Sequence, residues 1–139
     1  MRIFFFSLLF LAFSYTGLTQ DLNLKIIVEG IEEQEGTIYL SLHDNEDSFP
    51  SADQDAVRTG KIESFGKTAE YTFENLSEGT YAISVFQDMN GNAEMDTNFL
   101  GIPKEPVGAS NQNSFGRPKF SKSKFTLSKN TTIRVGYMN

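Results

Sequence analysis

Asp88, Asn90, Asn92, Glu94 and Asp96 place five oxygen-bearing side chains on alternate residues of one short stretch, FQDMNGNAEMD, around a single glycine, Gly91. Calcium takes about six to eight hard oxygens near ~2.4 Å, from carboxylates, amides and main-chain carbonyls. A loop curling round such an ion turns Asp88, Asn90 and Asn92 inward, and a carbonyl near Glu94 and the Asp96 carboxylate close the shell. The helix-loop-helix calcium pattern is not met. It wants glycine at the sixth position, where Ala93 stands, and glutamate at the twelfth, where Phe99 stands. The competing reading is a polar turn, because Asp, Asn and Gly are what turns select through local hydrogen bonds. Two points favour an ion: the loop runs well beyond the two to five residues of an ordinary hairpin, and carboxylates crowded into it repel. The expectation is a structural calcium ion. At millimolar calcium and a dissociation constant of ~10⁻⁴ M it would contribute about 1.4 kcal/mol.

Other residues offer less. With no cysteine and one histidine, His43, a zinc site of the usual ligands is excluded. His43 and Asp44 beside some serine would suit a hydrolytic triad, but no Gly-x-Ser-x-Gly turn exists, and His43 reads as a surface residue closing a strand. The 18 acidic residues offer too many carboxylate pairs for a glycoside-cleaving pair to be singled out. Asp44, Glu46, Asp47, Asp53 and Asp55 form a second acidic stretch, read as a solvated loop at the opposite end of the fold from Asp88. In ASNQNSFGRPKFSKSK, Phe115, Arg117 and Phe120 either present a binding surface or pin a long loop.

Alternation positions these residues. Leu22, Leu24, Ile26 and Val28 form one face of a strand, and Ile38, Leu40 and Leu42 another, with GIEEQEG between them reading as a hairpin connection. Tyr71 and Phe73, then Tyr81, Ile83 and Val85, alternate on either side of NLSEG, where Gly79 suits a tight turn. A weaker strand at GKIES and closing strands at KFTLS and TTIRVGYM complete the set, with a short helical turn expected near Pro50. No helical segment is long enough to cover a sheet. The fold class expected is therefore all-β, an antiparallel β-sandwich of about seven strands.

Residues 1–20 read as a signal peptide: Arg2, an apolar run from Ile3 to Phe13 shorter than the ~20 residues of a membrane span, then small residues before a cut beside Gln20. Residues 21–139 then form a single domain without disulfides, secreted or periplasmic, with no integral membrane segment after signal removal. Residues 21–103 carry 17 acidic against 4 basic side chains, whereas 104–139 carry 7 basic against Glu105 alone. A basic C-terminal part lying over an acidic body accounts for this split, and the net charge of −6 argues against nucleic acid.

YTFENLSEGTYAISVFQDMNGNAEMDTNFLGIPKEPVGASN, followed by SFGRPKF, resembles the bacterial domain of unknown function 2141. The shared features are a Gly-Thr-Tyr-Ala strand, Asp-x-Asn-x-Asn, Asn-Phe-Leu-Gly-Ile-Pro and a Phe-Gly-x-Pro piece; Ala93 replaces a glycine often found in the family. The resemblance implies export and a transthyretin-like or immunoglobulin-like sandwich, and implies no activity. The functional expectation is a non-enzymatic accessory module that binds a glycan or protein at the envelope or outside the cell. A carboxylate-dependent secreted hydrolase and a purely structural domain are the alternatives.

Overall fold

The computed structural model describes residues 21–138 apart from 52, 113 and 115. The signal-peptide expectation for 1–20 lies outside the described residues. Eight strands follow in chain order: β1 (Leu22–Glu29), β2 (Thr37–His43), β3 (Arg58–Ile62), β4 (Ala69–Leu76), β5 (Gly79–Asp88), β6 (Val107–Ala109), β7 (Phe125–Leu127) and β8 (Thr131–Met138). A 3-10 turn at Asp53–Asp55 and one four-residue helix, α1 (Phe120–Ser123), complete the set. The all-β class expected from alternation holds. β6 and α1 lie in stretches whose sequence shows no period.

One layer is β4-β1-β8 and the other β3-β2-β5-β6, with β7 beside the first residues of β5. Leu24, Ile26 and Val28 of β1, Phe73 of β4 and Val135 of β8 face Ile38, Leu40 and Leu42 of β2 and Ile83 and Val85 of β5, all buried. The layers nearly close into a barrel. Tyr137 and Met138 at the end of β8 pair with Gly108 and Val107 of β6 along one side. Along the other, the Tyr71 ring lies over Gly60, where a Cβ would stand 2.5 Å from Cζ.

Three expectations about neighbours are corrected. β1 and β2 form no hairpin: β1 pairs with β4 and β8, and β2 with β3 and β5. β4 and β5 likewise join opposite layers across Ser77–Glu78, held by the Tyr81 hydroxyl donating to the Ser77 carbonyl at 2.9 Å. β1 and β8 run parallel, the one exception to antiparallel pairing among the described residues. The physical reason is common to all three. Alternation states which face of a strand is buried, and that face is buried equally well by a partner across the core.

Local devices keep the pattern in register. Between Leu22 and Leu24 the pairing with β4 shifts, from Leu22↔Leu76 to Leu24↔Phe73. Asn75 absorbs the extra residue at φ 55°, a left-handed conformation that asparagine tolerates, and Leu76 returns to the core. At Gly36, φ is +75° and a Cβ would stand 2.0 Å from the Asp88 carbonyl oxygen. The 30–36 connection therefore seats directly on the end of β5, where the polar loop begins.

Gly36→Ala is expected to cost about 3 kcal/mol or more, from left-handed strain plus a backbone clash. Gly66→Ala, which meets nothing within 4 Å, is expected to be neutral or slightly stabilising. Urea unfolding of the two variants checks the contrast.

Candidate functional site

Strand β5 directs Tyr81, Ile83 and Val85 to the core and Ala82, Ser84, Phe86 and Asp88 to the other face of its layer. On that outer face Phe86 stacks on Tyr39 of β2 at 5.1 Å and 15°. Two loops cover it, one rooted at each end of β5. The roots lie at opposite ends, as the sequence suggested, because β2 pairs Thr37 with Asp88 and His43 with Ala82. Both loops nevertheless lean over the same face and share one groove.

The 44–57 loop is held through His43, which is fully buried, contrary to its expected surface position. Phe49 packs edge-on against the His43 ring at 5.5 Å and against Phe120 at 6.0 Å. The Ser84 hydroxyl donates to the Pro50 carbonyl at 2.9 Å, leaving its oxygen to accept from His43 Nε2 at 3.4 Å. That assigns the neutral tautomer protonated on Nε2, with Nδ1 accepting from the Ser48 hydroxyl at 2.9 Å. Burial pushes the His43 pKa below its ordinary 6.5, outweighing the carboxylates of Asp53 and Asp44, which act upward. Beside it, the Ser41 hydroxyl donates to Asp53 Oδ1 at 2.8 Å.

The 89–106 loop is organised by two buried carboxylates. Asp88 accepts from the Gly91 amide on Oδ1 and the Ala93 amide on Oδ2, each at 2.8 Å. Burial alone would raise its pKa, but the amides of Ala93, Gly91, Asn90 and Asn92 outweigh it and hold the carboxyl below its usual value. Glu105 ties the ends of the loop together, Oε1 accepting from Met89 N at 2.8 Å and Oε2 from Asp96 N at 3.2 Å. Nothing in the sequence pattern marked Glu105. Its partners lie 16 and 9 residues away, and only the folded loop brings them to one carboxylate.

Of the expected calcium ligands, Asn90, Asn92 and Asp96 meet through their side chains, while the Asp88 carboxylate is engaged by backbone amides of the same loop. The Asn90 side-chain amide donates to Asp96 Oδ2, and that of Asn92 donates to Asp96 Oδ1 and Oδ2 at 3.3 and 3.1 Å. Asn90 and Asn92 Oδ1 accept from the amides two residues on, at 3.1 and 3.0 Å, each keeping a second lone pair. Glu94 joins through its backbone amide, and the residue also lines the groove. Among the described residues, no three carboxylate or imidazole side chains are grouped to hold a metal ion. A cation here would rest on the carboxylates of Asp88 and Asp96, two amide oxygens and main-chain carbonyls, a donor set hard enough for calcium. Ala93, the departure from glycine, adopts φ 60° all the same, so the curl is made without the residue that makes it easily.

The shared groove encloses about 650 Å³, within the range of ligand sites. Ser41, Ser84 and Phe86 form its floor, Gln54 and Arg117 one bank, and Met95 and Ile102 the other. Phe120 pins the chain on Phe49, whereas Arg117 stays exposed on the groove bank, its Nη2 reaching Ser51 Oγ at 3.4 Å. Phe115 lies outside the described residues. A second depression of about 460 Å³, lined by Tyr39, Thr59, Lys61 and Tyr71, runs beside β3.

Fold and site together define a small all-β domain in which two polar loops roof one sheet face. The chain belongs to the family described as an uncharacterized protein conserved in bacteria, domain of unknown function 2141, which matches residues 26–134 and so spans both loops and all of the groove lining but Met138. No curated protein and no solved structure was found to match it. No helix among the described residues is long and apolar enough to cross a membrane.

The folded state holds His43 neutral, so as pH falls below about 6.5 the unfolded chain takes up the proton first and stability declines. Thermal melts between pH 7.5 and 5 are expected to show this loss, and His43→Gln to flatten it while lowering the melting temperature throughout. For Ala93→Gly, relief of left-handed strain is worth ~1–2 kcal/mol against ~0.4–1 kcal/mol of added unfolded-state entropy. A net gain of about 0.5 kcal/mol in urea unfolding is expected.

Proposed function

We propose that this chain is an exported, non-catalytic β-sandwich module that binds a glycan or protein at the cell envelope, with the outer-face groove as its ligand seat. The observation that carries the reading is the groove itself: two loops rooted at opposite ends of β5 converge to roof an aromatic and hydroxyl-lined floor. Such a surface offers stacking and hydrogen bonds to a neutral polar ligand. Two carboxylates in or beside it are engaged in holding the loops, Asp53 by Ser41 and Glu105 by two amides, which favours binding over carboxylate-dependent hydrolysis. Export is supported by the apolar run from Ile3 to Phe13. A calcium ion among Asp88, Asn90, Asn92 and Asp96 would brace one bank of the groove.

The test is a glycan array with a parallel panel of envelope fractions. Binding that disappears in Gln54→Trp, a groove-filling variant with an unchanged melting temperature, is the expected result; binding that survives the filled groove overturns the seat. For the ion, melting in EDTA and in millimolar calcium is expected to differ by roughly 5 °C, the equivalent of about 1.4 kcal/mol. Asp96→Ala is expected to abolish the difference, and identical melts would refute the ion.

A further inference from the structure

Four large apolar side chains are left open to solvent among the described residues, and all four belong to the 89–106 loop: Met95, Phe99, Leu100 and Ile102, with Phe99 95% exposed. The backbone fixes this exposure. Thr97 and Pro103 pair across the loop and isolate a tight turn, 98–102. Asn98 satisfies nearly all of it. Its Oδ1 accepts from the amides of Leu100 at 2.9 Å and Ile102 at 3.0 Å, its own amide donates to the Ile102 carbonyl at 2.8 Å, and its carbonyl accepts from Gly101 at 2.9 Å. Gly101 supplies the left-handed residue, φ +76°, that lets the turn close. With its polar groups paired internally, the turn holds Phe99 and Leu100 outward as a preformed apolar tip, and Glu105 anchors the loop beneath.

The charge around the tip selects what covers it. At the same end of the fold lie Glu32, Glu33 and Glu35, in the connection that Gln87 Nε2 ties to β5 through the Glu33 and Glu35 carbonyls. Within the loop, Glu94 and the half-buried Asp96 add to this, against Lys67, Lys104 and, across the groove from Ile102, Arg117. Arg134 and Lys61 are already engaged by Glu29 and Glu63. An anionic lipid surface is repelled by such a border. A second copy offers its groove, but there Asp53, Glu94 and Glu105 outnumber Arg117 and repeat the acidic sign. We infer that the 98–102 turn is a docking knob, Phe99 and Leu100 seating on an apolar surface of a partner protein bordered by lysine and arginine. This rests on the binding role proposed above and adds a second contact surface to it, outside the groove floor.

The test uses the ¹⁵N-labelled chain and a synthetic amphipathic helical peptide with leucine on one face and lysine on the other. Amide shifts confined to residues 96–104 are expected, weakening as salt rises from ~50 to ~300 mM because the contact is bordered by charge. In Phe99→Ser/Leu100→Ser, whose side chains pack on little and whose melting temperature should hold, affinity is expected to fall at least tenfold. The knob is overturned by absence of peptide binding, by shifts elsewhere, by equal binding of the glutamate-for-lysine peptide, or by full affinity in the double variant. Tip-dependent binding to phosphatidylglycerol vesicles, or a tip-dependent dimer in sedimentation, also overturns it in favour of those occupants. Groove binding that persists in the double variant leaves the groove reading standing alone, and Gln54→Trp is expected to leave the peptide contact intact.

Discussion

Strand β5 is covered on both faces, and much of the molecule follows from that. Its inward residues, Tyr81, Ile83 and Val85, meet the β4-β1-β8 layer. Its outward residues, Ala82, Ser84, Phe86 and Asp88, need a second cover, and no long helix among the described residues provides one. The 44–57 and 89–106 loops serve instead. Loops are poor cover, because each brings backbone amides that must be paired once water is excluded. The outer face is therefore as much a problem of polar satisfaction as of apolar packing.

Buried polar side chains solve it. Asp88 and Glu105 each accept from two backbone amides. Ser110, fully buried, accepts from the Ile83 amide at 2.9 Å and donates to the Ser123 carbonyl at 2.7 Å, pinning α1 to the sheet. Hydrogen bonds to an ionised group contribute ~1.5–3 kcal/mol against ~0.5–1.5 kcal/mol for neutral ones, so the two carboxylates dominate the ordering of the 89–106 loop. The folded loop also holds Asp88 ionised. A lowered carboxylate pKa adds stability that is present above its usual titration range and lost as pH falls through the lowered value, so Asp88 and His43 both weaken the fold on the acid side. The same bonding leaves the Asn98 turn rigid and its apolar side chains outside.

Membership of a bacterial family whose model spans residues 26–134 places the two loops, the exposed turn and all of the groove lining but Met138 inside the matched region. The barrel is built mainly from one-sided strands, and their buried faces account for packing alone. The outer face carries the rest: hydroxyls and Phe86 under the loops, and a turn whose polar groups are spent on itself.

Residue pattern alone determined the all-β class, the buried face of each long strand and the position of the polar loops, because alternation and turn chemistry are local properties of the chain. The crowding of Asp88, Asn90, Asn92 and Asp96 into one polar loop was legible for the same reason, since closely spaced polar residues in a short loop stay near one another. Strand partnership was not, since Leu24 or Ile38 is buried equally well beside a neighbour or across a core. Hence β1 and β2 face one another without pairing, and β1 runs parallel to β8. His43 looked like the exposed end of a strand and proved fully buried, because the loop that covers it returns through Phe49 and Ser48, residues with no periodic signal. Glu105 and Asn98 gained their roles in the same way. Local sequence sets what each side chain needs, and only the tertiary fold decides which distant amide, ring or empty solvent meets that need.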